Sequence, residues 1–467
     1  MVMGIREVLW GATRVLEWQS TSGIHSIHKR CSIFSRGVSY YRTSADIVKD
    51  RPILVREFIH SALYDPQFGY FATRPGVVGV IENSIQFNTL EGRNAYMQYL
   101  DSLYKKSDTA WFTPVEIFKP WYGYSIAEAI LRTANLSVPL KIYEIGGGSG
   151  TCAKCILDYM MLHAPAKVYN NMTYTSVEIS PALASKQVER IAEVSSHLKR
   201  FNVECRNATD KSGWGNVNEQ PCWVIMLEVL DNLPHDVVYC ENQSSSWMEV
   251  LVERKKHESS ISEIYRPLQD PLIKKCINII ENKETDVGWG ARAFSAARSI
   301  MSKVVPKSRR AWVPTGCLQL LEVLHRVVPK MSLIASDFSY LPDVRIPGVR
   351  APLVSSKKGG CTEDYSSYLE AKGDADIFFP TDFFILELID HYCAEAGSQL
   401  KGEKNLKPIK KRRSTILDMA GFMEEFGLPS KTSTKDGYNP LLEDFQNTKI
   451  YLSVPTHNFI SQKKQHL

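Results

Sequence analysis

A chain of 467 residues, 44% of them apolar, with 56 basic and 51 acidic side chains, suits one large elaborated domain or two, and its balance of charge argues against a nucleic-acid binder. No uninterrupted apolar run reaches about 18 residues, so no membrane span is expected. Ten cysteines without framework spacing and 11 dispersed histidines suggest reduced thiols and no metal centre.

Residues 1–45 stand apart. Arg6, Arg14, Lys29, Arg30, Arg36 and Arg42 outweigh Glu7 and Glu17, and Ile5, Val8, Leu9, Ala12 and Leu16 form an apolar stripe at helical spacing. That is the pattern of a mitochondrial or chloroplast transit peptide, with a plain N-terminal arm as the alternative. Residues 46–135 read as a helical cap. Arg51–His60 begins with Pro52 at a helix-start position and turns Ile53, Leu54, Phe58 and Ile59 inward. Asp65-Pro66 and Phe68-Gly69 break that helix, and Tyr64, Phe68, Tyr70 and Phe71 suit either core packing or a lid. Trp111–Ile117 opens a helical segment continuing through Tyr122, Ile126, Ile130 and Leu131, with Thr113 and Glu116 expected as a capping box around Pro114.

The core, 136–345, starts with the stretch on which the rest depends. Lys141–Ile145 suits a buried parallel strand, and Gly146, Gly147 and Gly148 remove Cβ atoms where the backbone turns and a ligand can approach. Ile156, Leu157, Met160 and Met161 mark the next helix, which Ser149 or Thr151 could cap. The dinucleotide fingerprint G-x-G-x-x-G, counted from Gly146 and Gly148, fails at Thr151, which weakens a hydride-transfer reading. The remaining pattern, Glu144-x-Gly146-x-Gly148-x-Gly150, resembles the first motif of class I S-adenosylmethionine-dependent methyltransferases; read bare, it could be a plain turn. Cys152 and Cys155 fall in the first turns of the helix, where a redox pair stays open. One unit downstream, Thr173–Glu178 alternates like a strand and ends in an acid that could accept both hydroxyls of a ribose, before Ser180-Pro181 opens a helix.

Taken together, the Leu63-Tyr-Asp-Pro…Gly69-Tyr70-Phe71 turn, the Phe112-Thr-Pro-x-Glu-Ile segment, the glycine loop and Val177-Glu178 resemble the MidA family, over most of residues 50–455. Two later stretches extend the resemblance. Cys222–Leu227 is a continuous apolar strand leading into Glu228, Asp231 and Leu233-Pro234, and Gly373-Asp-Ala-Asp-Ile-Phe-Phe-Pro-Thr-Asp-Phe383 is similar to a family segment. Leu227, the aliphatic residues between Glu228 and Asp231, and the Gly-Gly-Gly-Ser-Gly loop depart from the family pattern, as in a divergent member.

The resemblance implies a class I methyltransferase fold: α/β, Rossmann-like, with a doubly wound sheet, an N-terminal helical cap and an irregular C-terminal extension, 346–467. It implies S-adenosylmethionine as cofactor, contacted by Thr113, Pro114, Glu144, Gly146, Gly148, Gly150 and Glu178. It further implies methyl transfer to arginine of a mitochondrial matrix protein, such as a complex I subunit, in complex I assembly, and leaves a homodimer open. A catalytically silent assembly factor of the same fold is the competing reading. For a guanidinium acceptor the chemistry calls for carboxylates that grip its planar fork and take its proton, and Glu228 and Asp231 stand at the carboxyl edge of the fourth strand for that work. Alternatively, they are a surface acid and a helix cap.

Between 240 and 310 the sequence is polar and charged, with one helical run at Ile273, Ile277 and Ile280, and reads as an insertion. Thr315–Val328 reads as a helix and Met331–Phe338 as a strand ending near Asp337, which could be a site residue or a solvated acid. The basic run Lys401–Arg413 reads as a solvated loop between two helices.

Overall fold

A computed structural model of the chain describes residues 46–48, 51–73, 76–107, 109–242, 245–255, 260–284, 309–358, 361–399 and 412–456. The first strands are β1 (Ile53–Leu54), β2 (Lys141–Ile145), β3 (Thr173–Glu178), β4 (Phe201–Cys205) and β5 (Cys222–Leu227). They are followed by β6 (Asp236–Cys240), β7 (Met248–Arg254), β8 (Ile261–Pro267), β9 (Arg309–Val313) and β10 (Met331–Phe338). The chain closes with β11 (Leu353–Lys358), β12 (Cys361–Asp364), β13 (Asp376–Phe378), β14 (Arg412–Asp418) and β15 (Thr448–Pro455). The principal helices are α1 (Val55–Tyr64), α2 (Pro114–Ile117), α3 (Trp121–Thr133), α4 (Thr151–His163) and α5 (Pro181–Ala192), then α6 (Pro271–Glu284), α7 (Thr315–Val327), α8 (Phe383–Gln399) and α9 (Met419–Phe426).

Seven strands form the central sheet, in the order β14-β15-β10-β5-β2-β3-β4. Those from β4 to β10 run parallel, and β15 is antiparallel to both its neighbours. The chain winds outward from β2 to β4, then returns to lay β5 on the other side of β2. That reversal makes the carboxyl ends of β2 and β5 a switch point, where open α/β sheets bind ligands. Because strand side chains alternate, Ile142, Ile225, Ile334 and Ile450 meet one core with α3, α4 and α9, while Tyr143, Val224, Leu333 and Tyr451 meet another with α6, α7 and α8. The sheet is therefore covered on both faces, the doubly wound α/β class expected. A third core joins α1 to Val237, Val250 and Trp312 of an antiparallel sheet and to Val354 and Ile377 of a three-stranded one.

Local expectations fail where tertiary pairing outweighs local signals. Pro52 does not start a helix; Ile53 and Leu54 pair with Val252 and Leu251 of β7, and α1 begins at Val55. The segment from Trp111 to Leu131 is two helices, α2 and α3, broken at Phe118–Pro120. The span 240–310 carries the last residue of β6, all of β7 and β8, α6 and the start of β9, although only the helix was legible; its residues 285–308 lie outside the described residues. Residues 412–456, expected in an irregular extension, supply the last two strands of the central sheet. The transit-peptide reading of 1–45 and residues 401–411 of the basic run also lie outside the described residues. The run leads into a strand, β14, rather than the helix expected there.

Arg412, the first residue of β14, is buried against Asp390 of α8, with Nε 2.9 Å from Oδ2. His325 of α7 and Ser453 of β15 also bond Asp390, at 2.7 and 2.6 Å. Burial alone would raise the Asp390 carboxyl, but Arg412 and His325 hold it well below the usual carboxylate range. One ionic knot thus ties two helices to the edge of the sheet.

Candidate functional site

The chain leaves β2 into a loop where Gly146, Gly148 and Gly150 take φ of +66°, +54° and +81°, a region costly to any residue with a Cβ. Gly147 is needed for a different reason: a Cβ there would come within 2.7 Å of Ser176 Oγ and 2.9 Å of Glu144 Oε2. α4 then begins with Gly150 as its cap and no capping side chain. Ser149 and Thr151, expected as caps, lie 3.0 Å apart, hydroxyl to hydroxyl, and the Thr151 hydroxyl donates to Glu116. The Thr113 and Glu116 capping box is half formed. Thr113 Oγ1 accepts the Glu116 N–H at 3.3 Å, but the Glu116 carboxylate accepts instead from Ile81 N and Lys119 Nζ, at 2.7 and 2.6 Å. Glu116 therefore braces the loop from beneath.

A cavity of about 560 Å³ opens at this switch point, within the range that takes a small-molecule ligand. Thr113, Glu144, Gly146, Gly148, Glu178 and Glu228 line it. Pro114 and Gly150 do not. Pro114 is the buried first residue of α2, and a Cβ on Gly150 would meet Gln187 Cα at 3.0 Å, so both shape the wall from behind. Glu178, at the end of β3, accepts from Gly148 N, Ser180 N and Gln187 Nε2 at 3.3, 3.0 and 3.1 Å. It thereby fixes the loop relative to α5. Burial pushes its carboxyl up to about 7, and likewise that of Glu144, which accepts from Tyr174 OH at 3.0 Å. Burial also pushes the Cys155 thiol up to about 12 and that of Cys152 higher than its ordinary value, so neither offers a thiolate at neutral pH.

Acids gather on the β5 side. Glu228 follows β5 with φ +52°, uncommon for a residue bearing a side chain, held there by its N–H donating to Ser336 O at 2.9 Å. Asp231, 4% exposed, lines a second cavity of about 140 Å³ that shares Phe71, Val78, Thr113, Glu228 and Asn232 with the larger one. No helix follows Asp231, so it caps none; its N–H donates to Asp337 Oδ2 at 3.0 Å. Burial, then Asp337, raises the Glu228 carboxyl well above its ordinary value, and burial with three acidic neighbours does the same to Asp231. Asp337 and Asp376 are pushed up to about 7. Among the described residues no lysine or arginine pairs with any of these four.

Other wall residues carried little local signal. Asn207, Ala208 and Thr209 follow β4 and line the larger cavity, yet in sequence they form only a glycosylation-like triplet. Asn232 and Asp376 line the smaller one. The aromatic cluster divides: Tyr70 is core, whereas Tyr64 and Phe71 stack at 5.6 Å and line the larger cavity, and the Tyr64 hydroxyl donates to Asn232 O at 3.0 Å.

Comparison with known proteins agrees with this fold. Residues 125–403 match a family model described as S-adenosyl-L-methionine-dependent methyltransferase. The chain is 21% identical over 447 residues to "Protein arginine methyltransferase NDUFAF7 homolog, mitochondrial" of Schizosaccharomyces pombe, covering 88% of each chain. A Burkholderia thailandensis protein solved with S-adenosyl-homocysteine bound shares the fold at a TM-score of 0.53 and 14% identity, over 86% of this chain and 88% of that one. A native structure of the same superfamily from that organism matches at a TM-score of 0.50 and 14% identity, over 86% and 87%.

Proposed function

The chain belongs to this family of S-adenosylmethionine-dependent methyltransferases, and from that premise we infer that it methylates arginine on a mitochondrial protein. The observation that carries the acceptor reading is the group of three carboxylates, Glu228, Asp231 and Asp376, without a cationic partner among the described residues, set in the small cavity beside the glycine-loop one. The name of the fission-yeast relative supports both the arginine and the mitochondrion. On the MidA resemblance, the acceptor is a complex I subunit in the matrix, methylated during complex I assembly, and residues 1–45 are the transit peptide.

The residues fit the cofactor. Gly146 and Gly148 form a cradle that a Cβ would strain, Gly148 presents its N–H beside Glu178, and Glu178 has the two oxygens a ribose diol requires. We assign Thr113, Glu144, Gly146, Gly148 and Glu178 to its contact, with Pro114 and Gly150 shaping that wall. When bound, S-adenosylmethionine supplies an electrophilic methyl on a sulfonium. The protein's task is to align the acceptor nitrogen, exclude water and remove a proton. A guanidinium is not nucleophilic until it loses that proton. Glu228, on the wall common to both cavities, takes the N–H of the reacting nitrogen, and Asp231 holds the fork and shares the released proton. Burial and acidic neighbours raise both carboxyls, which makes each, once ionised, a stronger base toward the guanidinium proton than an ordinary carboxylate.

Calorimetric titration of S-adenosylmethionine into the full chain, beside Gly148→Val, tests the cofactor site. The parent should bind, and the folded variant should not. Labelled methyl transfer to mitochondrial extract, read by mass spectrometry, should yield methylarginine, and Glu228→Gln should lose product at least a hundredfold with cofactor binding kept, the scale of a lost catalytic acid or base (~10²–10⁴). Full turnover by that variant would remove Glu228 from the mechanism; a parent that binds cofactor yet transfers nothing would make the chain a silent assembly factor.

A further inference from the structure

Asp376 comes from outside the methyltransferase sheet, at the head of β13 in the three-stranded sheet, yet it reaches the same small cavity as Glu228 and Asp231. It is 7% exposed, and Asn232 Nδ2 donates to its Oδ1 at 2.8 Å and to Ile377 O at 3.2 Å. Asp231 presents the complementary evidence: its Oδ1 is buried with no partner among the described residues. A carboxylate oxygen without a donor in such a place is costly unless a ligand supplies one. The cavity, about 140 Å³, is well below the roughly 300 Å³ of small-molecule pockets and suits one inserted side chain. Trp111, Phe338 and Phe378 give it apolar wall for an aliphatic stem.

We propose that Asp376 is a substrate-binding carboxylate, which with Asp231 and Glu228 selects an acceptor side chain ending in a guanidinium over one ending in an ammonium. The inference rests on the arginine reading and adds the residue that enforces it. A guanidinium spreads five N–H donors around a plane and can satisfy carboxylates delivered by separate chain segments. An ammonium projects its three donors from one atom and offers no planar edge that could pair with both oxygens of one carboxylate while reaching the others. Asn232 makes Asp376 a prepared acceptor, since it fixes one oxygen and so sets the direction of the other.

The full chain, saturated with S-adenosyl-homocysteine, is titrated with Nα-acetyl-arginine amide and with Nα-acetyl-lysine amide. The parent should bind the arginine amide in clear preference to the lysine amide. Asp376→Asn should bind S-adenosyl-homocysteine as the parent does, bind the arginine amide at least tenfold more weakly and lose the preference, and Asp376→Glu should recover part of it. Parent-like arginine binding and preference in Asp376→Asn would overturn the role of Asp376 and leave the arginine reading standing. A parent that binds S-adenosyl-homocysteine but neither amide would overturn both.

Discussion

Replacing Asp376 by Asn should stabilise the protein without ligands, and should do so only as the pH rises. Burial moves the Asp376 carboxyl from 3.8 to about 7, with the Asn232 bond opposing the shift. The folded value is the higher one, so the fold prefers the protonated acid. The stability this group contributes is whole below about pH 4 and is lost as pH rises through about 7. At about 1.4 kcal/mol for each pH unit between the two values, the loss is about 4 kcal/mol once the folded carboxyl is ionised, and less than half of that at pH 5. Asparagine keeps the shape and still accepts from Asn232 through its oxygen, so the substitution removes the titration with little repacking. Urea unfolding followed by tryptophan fluorescence, at pH 4, 5 and 8, would then show coincident curves at pH 4 and a variant more stable by about 2 to 4 kcal/mol at pH 8. Parallel stability profiles at all three values, or a gain independent of pH, would refute the reasoning. The same variant should lose the arginine amide, the usual trade of stability against a functional acid.

Gly148 and Gly150 should separate by effect. Alanine at either position strains a left-handed backbone by roughly 1–2 kcal/mol. A Cβ on Gly148 would touch nothing nearer than Val78 Cγ1 at 3.7 Å, so Gly148→Ala should fold nearly normally and lose cofactor affinity in titration. A Cβ on Gly150 would crowd Gln187 at 3.0 Å, so Gly150→Ala should show the larger fall in unfolding midpoint. Arg412→Met should lower stability by about 3–5 kcal/mol in urea, because it leaves Asp390 buried without its strongest partner. Adding Asp390→Asn to that variant should restore part of the loss.

The glycine-loop half of the candidate site was legible because its parts are local. Strand, glycine loop, helix, second strand and Glu178 occupy one stretch, 141–181, and each neighbour constrains the next through backbone geometry that leaves a residue signature. Glycine is required where φ is positive, and Ser180-Pro181 is the ordinary opening of a helix whose Ser180 hydroxyl accepts from Leu183 N at 3.4 Å. The errors within this region concern hydroxyls. Ser149 and Thr151 have the right spacing for caps, but spacing does not record that Glu116, brought under the loop from α2, competes for them.

The acceptor half was read only in part because no local rule places it. Glu228 and Asp231 could be proposed from their position at a strand end. Asp337 and Asp376 join them through the parallel register of β5 with β10 and through the packing of a separate three-stranded sheet, neither of which leaves a spacing in the chain. The same cause hid β14 and β15, whose pairing with β10 is long-range. It also hid β7, where Glu249 reads as a solvated charge but is buried and accepts from Arg266 Nε at 2.6 Å and from the backbone of Gln269 and Asp270. Charge in the sequence predicts exposure only while no partner is in reach. In the smaller cavity burial without a cationic partner raises the Glu228, Asp231 and Asp376 carboxyls and favours their protonated forms, and Asp231 keeps an oxygen without a donor among the described residues.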